Sequence, residues 1–499
     1  MGEVSNFPIL SVTVFEPLAG AFLLMCIPKE RIKLIKCLAA VFAFIALLFS
    51  LLIFFAYNSA VSGMQFVEFF PWLPDMGINY HLGVDGISIP MVMLTNIIGF
   101  SAVYSSWHTD DRTKEFFILL LFLLTGLSGT FVTRDLILFF LFFEVVVIPI
   151  YLMIIMWGTS KQFTKEYAGM KLTIYLLIGS AFLLISLITL FVKAYNMTGV
   201  PTMSIEALAQ LQYPMGFQLF IFAMMSFCFC TLISMFPFHA WSPDGHVAAP
   251  TAVSMLHAGV LKSIGGYGMI RVALYIFPEA GKVILPILAV LGVAGVVYAA
   301  YICIHQQDLK YVVGFSSVSH MGYVIIGITA FNIISLNAAV IMMFAHGIMA
   351  ALFFTMVGTI YHKAGTRMIG DFSGLAHHMP HLAVGFMISG LACLGLPGLI
   401  NFIGEFMTFI GVYQTYHVVG VLTAMGIIFA SIYNIRAVGN ILFGPPMEKW
   451  QGLPDMNLPE MVPLLVLGGC MLLGGIYPGP LLDMINSAVV ELMTHIGLI

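Results

Sequence analysis

The sequence predicts an all-α, polytopic membrane protein with about fourteen transmembrane helices. Three observations predict it. Only 8% of the 499 residues are charged and 61% are hydrophobic, whereas a soluble domain carries about 25% charged residues. Apolar stretches of roughly 20 residues, long enough to cross a ~30 Å hydrocarbon core as a helix, recur from end to end. Lys and Arg gather in alternate connections, as they do in loops kept on the cytoplasmic side. The 19 basic and 23 acidic groups could not solvate the several globular domains that the length would otherwise suggest, so soluble enzymes are excluded. A formal charge of −4, without a run of like charges, gives no indication of nucleic-acid binding.

In chain order the spans fall near 8–27, 32–57, 87–107, 116–133, 135–157, 171–193, 217–236, 251–276, 283–303, 310–331, 337–360, 383–412, 417–443 and 461–484. No Lys or Arg precedes Lys29, so the first segment lacks the basic flank of a signal peptide and reads as a retained helix. Segments 58–86 and 194–216 read as surface loops. The tightest boundary is Thr133-Arg134-Asp135, between the fourth and fifth spans. Loops after odd-numbered spans hold Lys29, Arg31, Lys33 and Lys36, then Arg112 and Lys114, then Lys161, Lys165 and Lys171, and later Lys310, Lys363, Arg367, Arg436 and Lys449. The opposite loops hold little beyond Arg134, Lys193 and Lys282. Both termini are therefore expected to face away from the cytoplasm, with the chain in the cell inner (plasma) membrane.

Two spans carry helix-breaking signals at mid-depth: Met235-Phe-Pro-Phe-His239 in the seventh and Gly395-Leu-Pro-Gly-Leu399 in the twelfth. Broken backbone inside lipid is tolerated only where protein or a water-filled cavity covers it. Breaks five spans apart suggest two inverted five-helix repeats, 116–276 and 283–443, each with one discontinuous helix.

An ionisable side chain at the bilayer centre costs at least ~2.5–3.5 kcal/mol on insertion scales and marks an ion or proton path by default. Glu144 lies mid-span among Phe and Val, and Lys171 on the next span is its most plausible structural partner. Lys262 is the one Lys at mid-span; Glu405 follows the broken twelfth helix. His320 and His346 suit a relay because imidazole titrates near ~6.5. His257, about one and a half turns before Lys262, and His239, at the seventh-span break, are further candidates. Glu16, beside Pro17 near the end of the first span, reads as reaching headgroups. The seven cysteines form no C-x-x-C pair, and neither a phosphate loop nor a dinucleotide fingerprint is present. No metal or redox cofactor is expected in this chain, so any pumping is driven by partners.

The stretches Gly83-Val-Asp-Gly-Ile-Ser88, Leu141-Phe-Phe-Glu144, Glu166-Tyr-Ala-Gly-Met-Lys171, Phe236-Pro-Phe-His-Ala-Trp-Ser-Pro-Asp244, Ser316-Ser-Val-Ser-His-Met-Gly322 and Gly404-Glu-Phe406 resemble the antiporter-like M subunit of NADH:quinone oxidoreductase, respiratory complex I. That family lies within the multisubunit cation/proton antiporter superfamily. The resemblance implies a membrane-arm subunit moving protons through two half-channels, with antiporter-like neighbours and a redox arm as partners. Glu144 and Lys171 would match its input side, His320 and His346 its connecting relay, and Glu405 its exit carboxylate. Two departures matter. Where the family usually has a Lys at the seventh-span break, this chain has Leu232; and the family's eighth-span Lys falls on Ser263, one residue after Lys262. One residue turns a helix by ~100°, so Lys262 reaches the same cavity only if the helix is locally irregular, for example by a π-bulge. His257 or His239, with Lys262, is expected to take over the central site. A D-type component of a multisubunit Na⁺/H⁺ antiporter or a membrane hydrogenase, and a non-pumping structural spacer, are the alternatives.

Overall fold

The computed structural model describes residues 7–160 and 162–497. Lys161, one of the cations in the orientation reading, lies outside the described residues. Two helices, α1 (Ile9–Met25) and α2 (Ile32–Ala56), lead into an antiparallel hairpin of β1 (Gln65–Leu73) and β2 (Ile78–Val84). Then follow α3 (Ser88–Ser105), α4 (Thr113–Val132), α5 (Leu136–Trp157), α6 (Lys165–Thr198), the short α7 (Ile205–Ala209) and α8 (Met215–Leu232). After a break come α9 (Trp241–Ala248), α10 (Thr251–Leu256) and α11 (Lys262–Gly268). The second half holds α12 (Pro278–His305), α13 (Leu309–Thr329), α14 (Ile333–Ala364), α15 (Pro380–Cys393), α16 (Ile400–Thr415) and α17 (His417–Leu442), and the chain closes with α18 (Leu458–Ile476) and α19 (Gly479–His495). Among the described residues, eleven helices are long and apolar enough to cross a membrane.

Both expected discontinuities are present. α8 stops at Leu232, Ser234 takes a positive φ of 57°, and helix resumes at Trp241. The freed carbonyl of Thr231 accepts from the indole Nε1 of Trp241 at 3.1 Å, which satisfies backbone that lipid could not. α15 stops at Cys393, and Gly395 and Gly398, at φ 64° and 96°, carry the chain to α16. Positive φ strains a residue with a Cβ and does not strain glycine.

The eighth span is irregular. π-helical turns at 257–261 and 269–274 flank α11, so Lys262 begins directly after a π turn, as its register demanded. The tight fourth–fifth boundary works because Asp135 caps α5, accepting from the amides of Ile137 and Leu138 at 3.0 and 3.3 Å, and also holds Asn79 of the hairpin at 3.0 Å.

Three expectations are corrected. Segment 58–86 is a hairpin in large part, since Gly77 (φ 63°) supplies the left-handed turn between two runs that pair. α6 runs on to Thr198 and α7 interrupts the second connection. The last span ends at Ile476, not 484, where Tyr477-Pro478 separates α18 from the amphipathic α19.

The hairpin also anchors α1. The buried carboxylate of Glu68 accepts from the amides of Leu10 at 2.7 Å and Ser11 at 3.2 Å. Charged hydrogen bonds of this kind are worth about 1.5–3 kcal/mol each. Glu68→Ala is therefore expected to lower the thermal midpoint of the purified protein, read by thermal unfolding against the native chain.

α14 lies at the centre, with every residue from 335 to 360 buried, enclosed by α13, α16, α15, α18, α10 and α3. α13 is buried throughout except at Phe315. Polar groups on these two helices face other helices, not lipid, and that placement makes a buried relay sterically available.

Candidate functional site: a buried polar row

The row starts at Lys262, wholly buried, whose Nζ donates to Ser317 Oγ on α13 at 2.8 Å. Ser317 Oγ lies 2.9 Å from His346 Nε2 on α14. A serine hydroxyl carries one donor and two acceptor sites, so Ser317 accepts from Lys262 while its own proton is available to His346 Nε2. The imidazoles of His346 and His320 stack at a centroid distance of 5.3 Å and 15°. His320 Nδ1 donates to the Ser316 carbonyl at 2.7 Å, since a carbonyl only accepts, which leaves Nε2 as the nitrogen that can gain or lose a proton. That nitrogen faces Glu405 Oε1 at 3.5 Å. Lys262, Ser317, His346, His320 and Glu405 thus form one row across α11, α13, α14 and α16, with hydrogen bonds over its first two steps, a ring stack between the imidazoles and a 3.5 Å ion-pair approach at its end.

Local sequence explains the seats. Residues 316, 317 and 320 lie within about one turn of α13, which places Ser316, Ser317 and His320 together. Glu405 sits against the break in the twelfth span: a side chain at Gly395 would run into its carboxylate. Gly395→Ala is expected to displace Glu405 from His320 and, through the added strain at positive φ, to impair proton transport while the complex still assembles, read as the loss of a vesicle pH gradient at unchanged uncoupled electron-transfer rate.

The remaining sequence candidates fall elsewhere. Lys171 is paired with Asp244 of α9, Nζ to Oδ2 at 2.6 Å, and Asp244 Oδ1 also accepts from the Tyr311 hydroxyl at 3.0 Å. The expected Lys171 partnership with Glu144 is thus corrected. α5 and α6 run in opposite directions, and Glu144 lies thirteen residues from the end of α5 whereas Lys171 lies six from the start of α6; at 1.5 Å per residue they differ in depth by about 10 Å. Glu144 is half-buried, and its Oε1 has no hydrogen-bond partner among the described residues. Leu232 is a buried apolar side chain. Ser263 bonds back to the Gly259 carbonyl at 2.9 Å and takes no part in the row. His239 packs on Phe236 and against Tyr298, with Nδ1 unpartnered among the described residues. His257 lies between Trp241 and His246.

Sequence reasoning missed several groups. Cys393 Sγ lies 4.0 Å from His320 Nε2 and 3.4 Å from the Tyr433 hydroxyl. Asp244 and His246 sit in a Ser-Pro-Asp-Gly-His run that reads as a turn. Outside the row, ion pairs join Asp85 to Arg271, Arg134 to Glu206 and Asp308 to Arg367, the first and last of them buried.

With this geometry in hand, three comparisons place the chain. A family model described as the NADH:quinone oxidoreductase/Mrp antiporter transmembrane region matches residues 133–430, which includes the whole row. NADH-quinone oxidoreductase subunit M of Rhodobacter capsulatus is 35% identical over 98% of this chain and 96% of its own length. F(420)H(2) dehydrogenase subunit M of Methanosarcina mazei is 34% identical over 98% of this chain and 99% of its own length. In the solved structure of respiratory complex I from Thermus thermophilus with bound NADH, one chain superimposes with a TM-score of 0.87 at 25% identity, covering 97% of this chain and 99% of that one.

Proposed function

We infer that this chain, which belongs to the NADH:quinone oxidoreductase/Mrp antiporter family, works as the antiporter-like membrane subunit of a proton-translocating, quinone-linked oxidoreductase and carries protons along the row from Lys262 to Glu405. It is a multi-pass subunit of a respiratory complex, and its partners are the neighbouring membrane-arm subunits and a redox arm. The relatives are named for different donors, NADH in Rhodobacter capsulatus and F(420)H(2) in Methanosarcina mazei, so the part shared with them is the membrane step. In this reading the chain holds no redox group, sits in the inner (plasma) membrane with both termini away from the cytoplasm, and builds two half-channels from 116–276 and 283–443.

The observation that carries the reading is the Lys262–Ser317–His346 contact, two hydrogen bonds of 2.8 and 2.9 Å in wholly buried surroundings. When Lys262 releases a proton to Ser317 Oγ, the Ser317 hydroxyl proton passes to His346 Nε2. No heavy atom has to move far, and the serine ends as it began. His320, its Nδ1 held by a carbonyl, takes the next proton on Nε2 and faces Glu405 with it. The carboxylate stabilises the imidazolium formed there. Charge redistribution in partner subunits supplies the driving force by favouring or disfavouring the cation at Lys262.

Replacing Ser317 tests the step with little loss of packing. Ser317→Ala removes the hydroxyl and is expected to slow this chain's proton throughput by about 100-fold, the low end of what a positioned proton-transfer group contributes; Ser317→Thr is expected to keep most of it. Native throughput in Ser317→Ala would refute the relay. Leu232 favours a second reading, a non-pumping spacer, which predicts no change in either variant.

A further inference from the structure

We propose that His246 and His257 form the proton-loading pair of the first half, in place of the cation that Leu232 lacks, and that protons reach it from a cleft floored by Lys310. The proposal rests on the proton-translocation reading above.

His246, in α9, and His257, which opens the first π turn, stack with their ring centroids 3.9 Å apart. The outer face of His257 lies on Trp241 at 5.0 Å and that of His246 on Phe354 at 4.9 Å, so two imidazoles sit inside an aromatic sandwich. Both side chains are wholly buried, and none of their four ring nitrogens has a hydrogen-bond partner among the described residues. A buried polar group without a partner costs about 1–3 kcal/mol, and such groups are rare enough that each calls for a physical reason. Here the reason is that the nitrogens are kept free to take a proton. The aromatic faces attract an imidazolium, and repulsion between rings this close admits one proton to the pair at a time. Space for His257 is made opposite, at Gly245, where a Cβ would sit 3.3 Å from His257 Cε1.

Two lysines adjoin the segments that carry the pair, Lys310 against the Ala249 carbonyl and Lys262 beyond His257. On the side of the cation-rich loops, a cleft of about 340 Å³ is lined by Thr251, Lys310, Tyr361 and His362 among others. Lys310 is buried, and its Nζ donates at 2.6 Å to the carbonyl of Ala249, three residues beyond His246. On the other side, Lys262 follows His257 by five residues. In an α-helix that offset turns the two about 140° apart; the wider π turn, with its i→i+5 bonding, narrows that angle. The π turn therefore serves both registers, bringing Lys262 to Ser317 and leaving His257 behind it on the uptake side. The transfer is a proton hop, from His246 to His257 to the free amine of Lys262, with no other bond made or broken. His239, packed on Phe236 and Tyr298, stands outside this sequence.

The experiment measures protons taken up per electron by inverted vesicles carrying the whole complex. It compares the native chain with the double variant His246→Gln and His257→Gln, the same double variant with Leu232→Lys added, and Lys262→Ala. The double variant is expected to keep its uncoupled electron-transfer rate and lose this chain's throughput by about 100-fold; the added lysine is expected to restore it. A double variant that pumps at the native ratio while Lys262→Ala does not would overturn the loading pair and leave the row intact. Failure of Leu232→Lys to restore pumping would overturn the claim of replacement. Native pumping in Lys262→Ala would instead sink the underlying reading. Should the double variant not assemble, each single Gln variant is read by the same criteria.

Discussion

Lys262→Ala is expected to abolish proton transport by this chain while the complex assembles and passes electrons. Lys262 is wholly buried, and among the described residues no carboxylate lies within ion-pair distance of it; its Nζ bonds to Ser317. A cation at mid-membrane costs at least ~2.5–3.5 kcal/mol on insertion scales, and each 1.4 kcal/mol is about a tenfold change in an equilibrium constant. A cation at this cost, with no paired carboxylate among the described residues, is open to the field from partner subunits. Lys262→Arg separates charge from titration: guanidinium stays protonated in proteins, so Arg keeps the cation yet is also expected to block transport. Uncoupled quinone reduction in membranes checks assembly, and the electron-transfer-driven pH gradient reads the effect.

Glu405→Gln is expected to have the next largest effect. Glu405 is buried where the twelfth span breaks, 3.5 Å from His320 Nε2. Gln keeps the volume and a hydrogen-bonding carbonyl but neither accepts a proton nor stabilises an imidazolium at His320. Throughput is expected to fall by about 100-fold or more, with Glu405→Asp intermediate because it retains the carboxylate at a longer reach. Proton release during steady turnover, measured in vesicles of the assembled complex, distinguishes these outcomes.

The architecture was largely legible because each signal was local. Apolar runs of helix-spanning length located the helices, and Pro and Gly clusters located both discontinuities, since those residues interrupt a helix wherever they stand. The π turn before Lys262 was legible indirectly, from a lysine one residue out of register. What was not legible involved partners distant in sequence. Lys171 meets Asp244, 73 residues on, and depth along antiparallel helices, not proximity in the chain, excludes Glu144. The hairpin escaped because Pro71 and Pro74 mask its alternation. His246 escaped because a His after Ser-Pro-Asp-Gly looks like a solvated turn, and only the packing of α9 against α13 and α14's Phe354 reveals it as buried.

The measurement that tests the central claim most directly is the ratio of protons taken up to electrons transferred in inverted membrane vesicles, for the native complex and for Lys262→Ala at matched assembly and matched uncoupled electron-transfer rate. A lower ratio in the variant is the result expected of a working proton row that runs through Lys262. An unchanged ratio would contradict it and make this chain a spacer whose buried charges are structural.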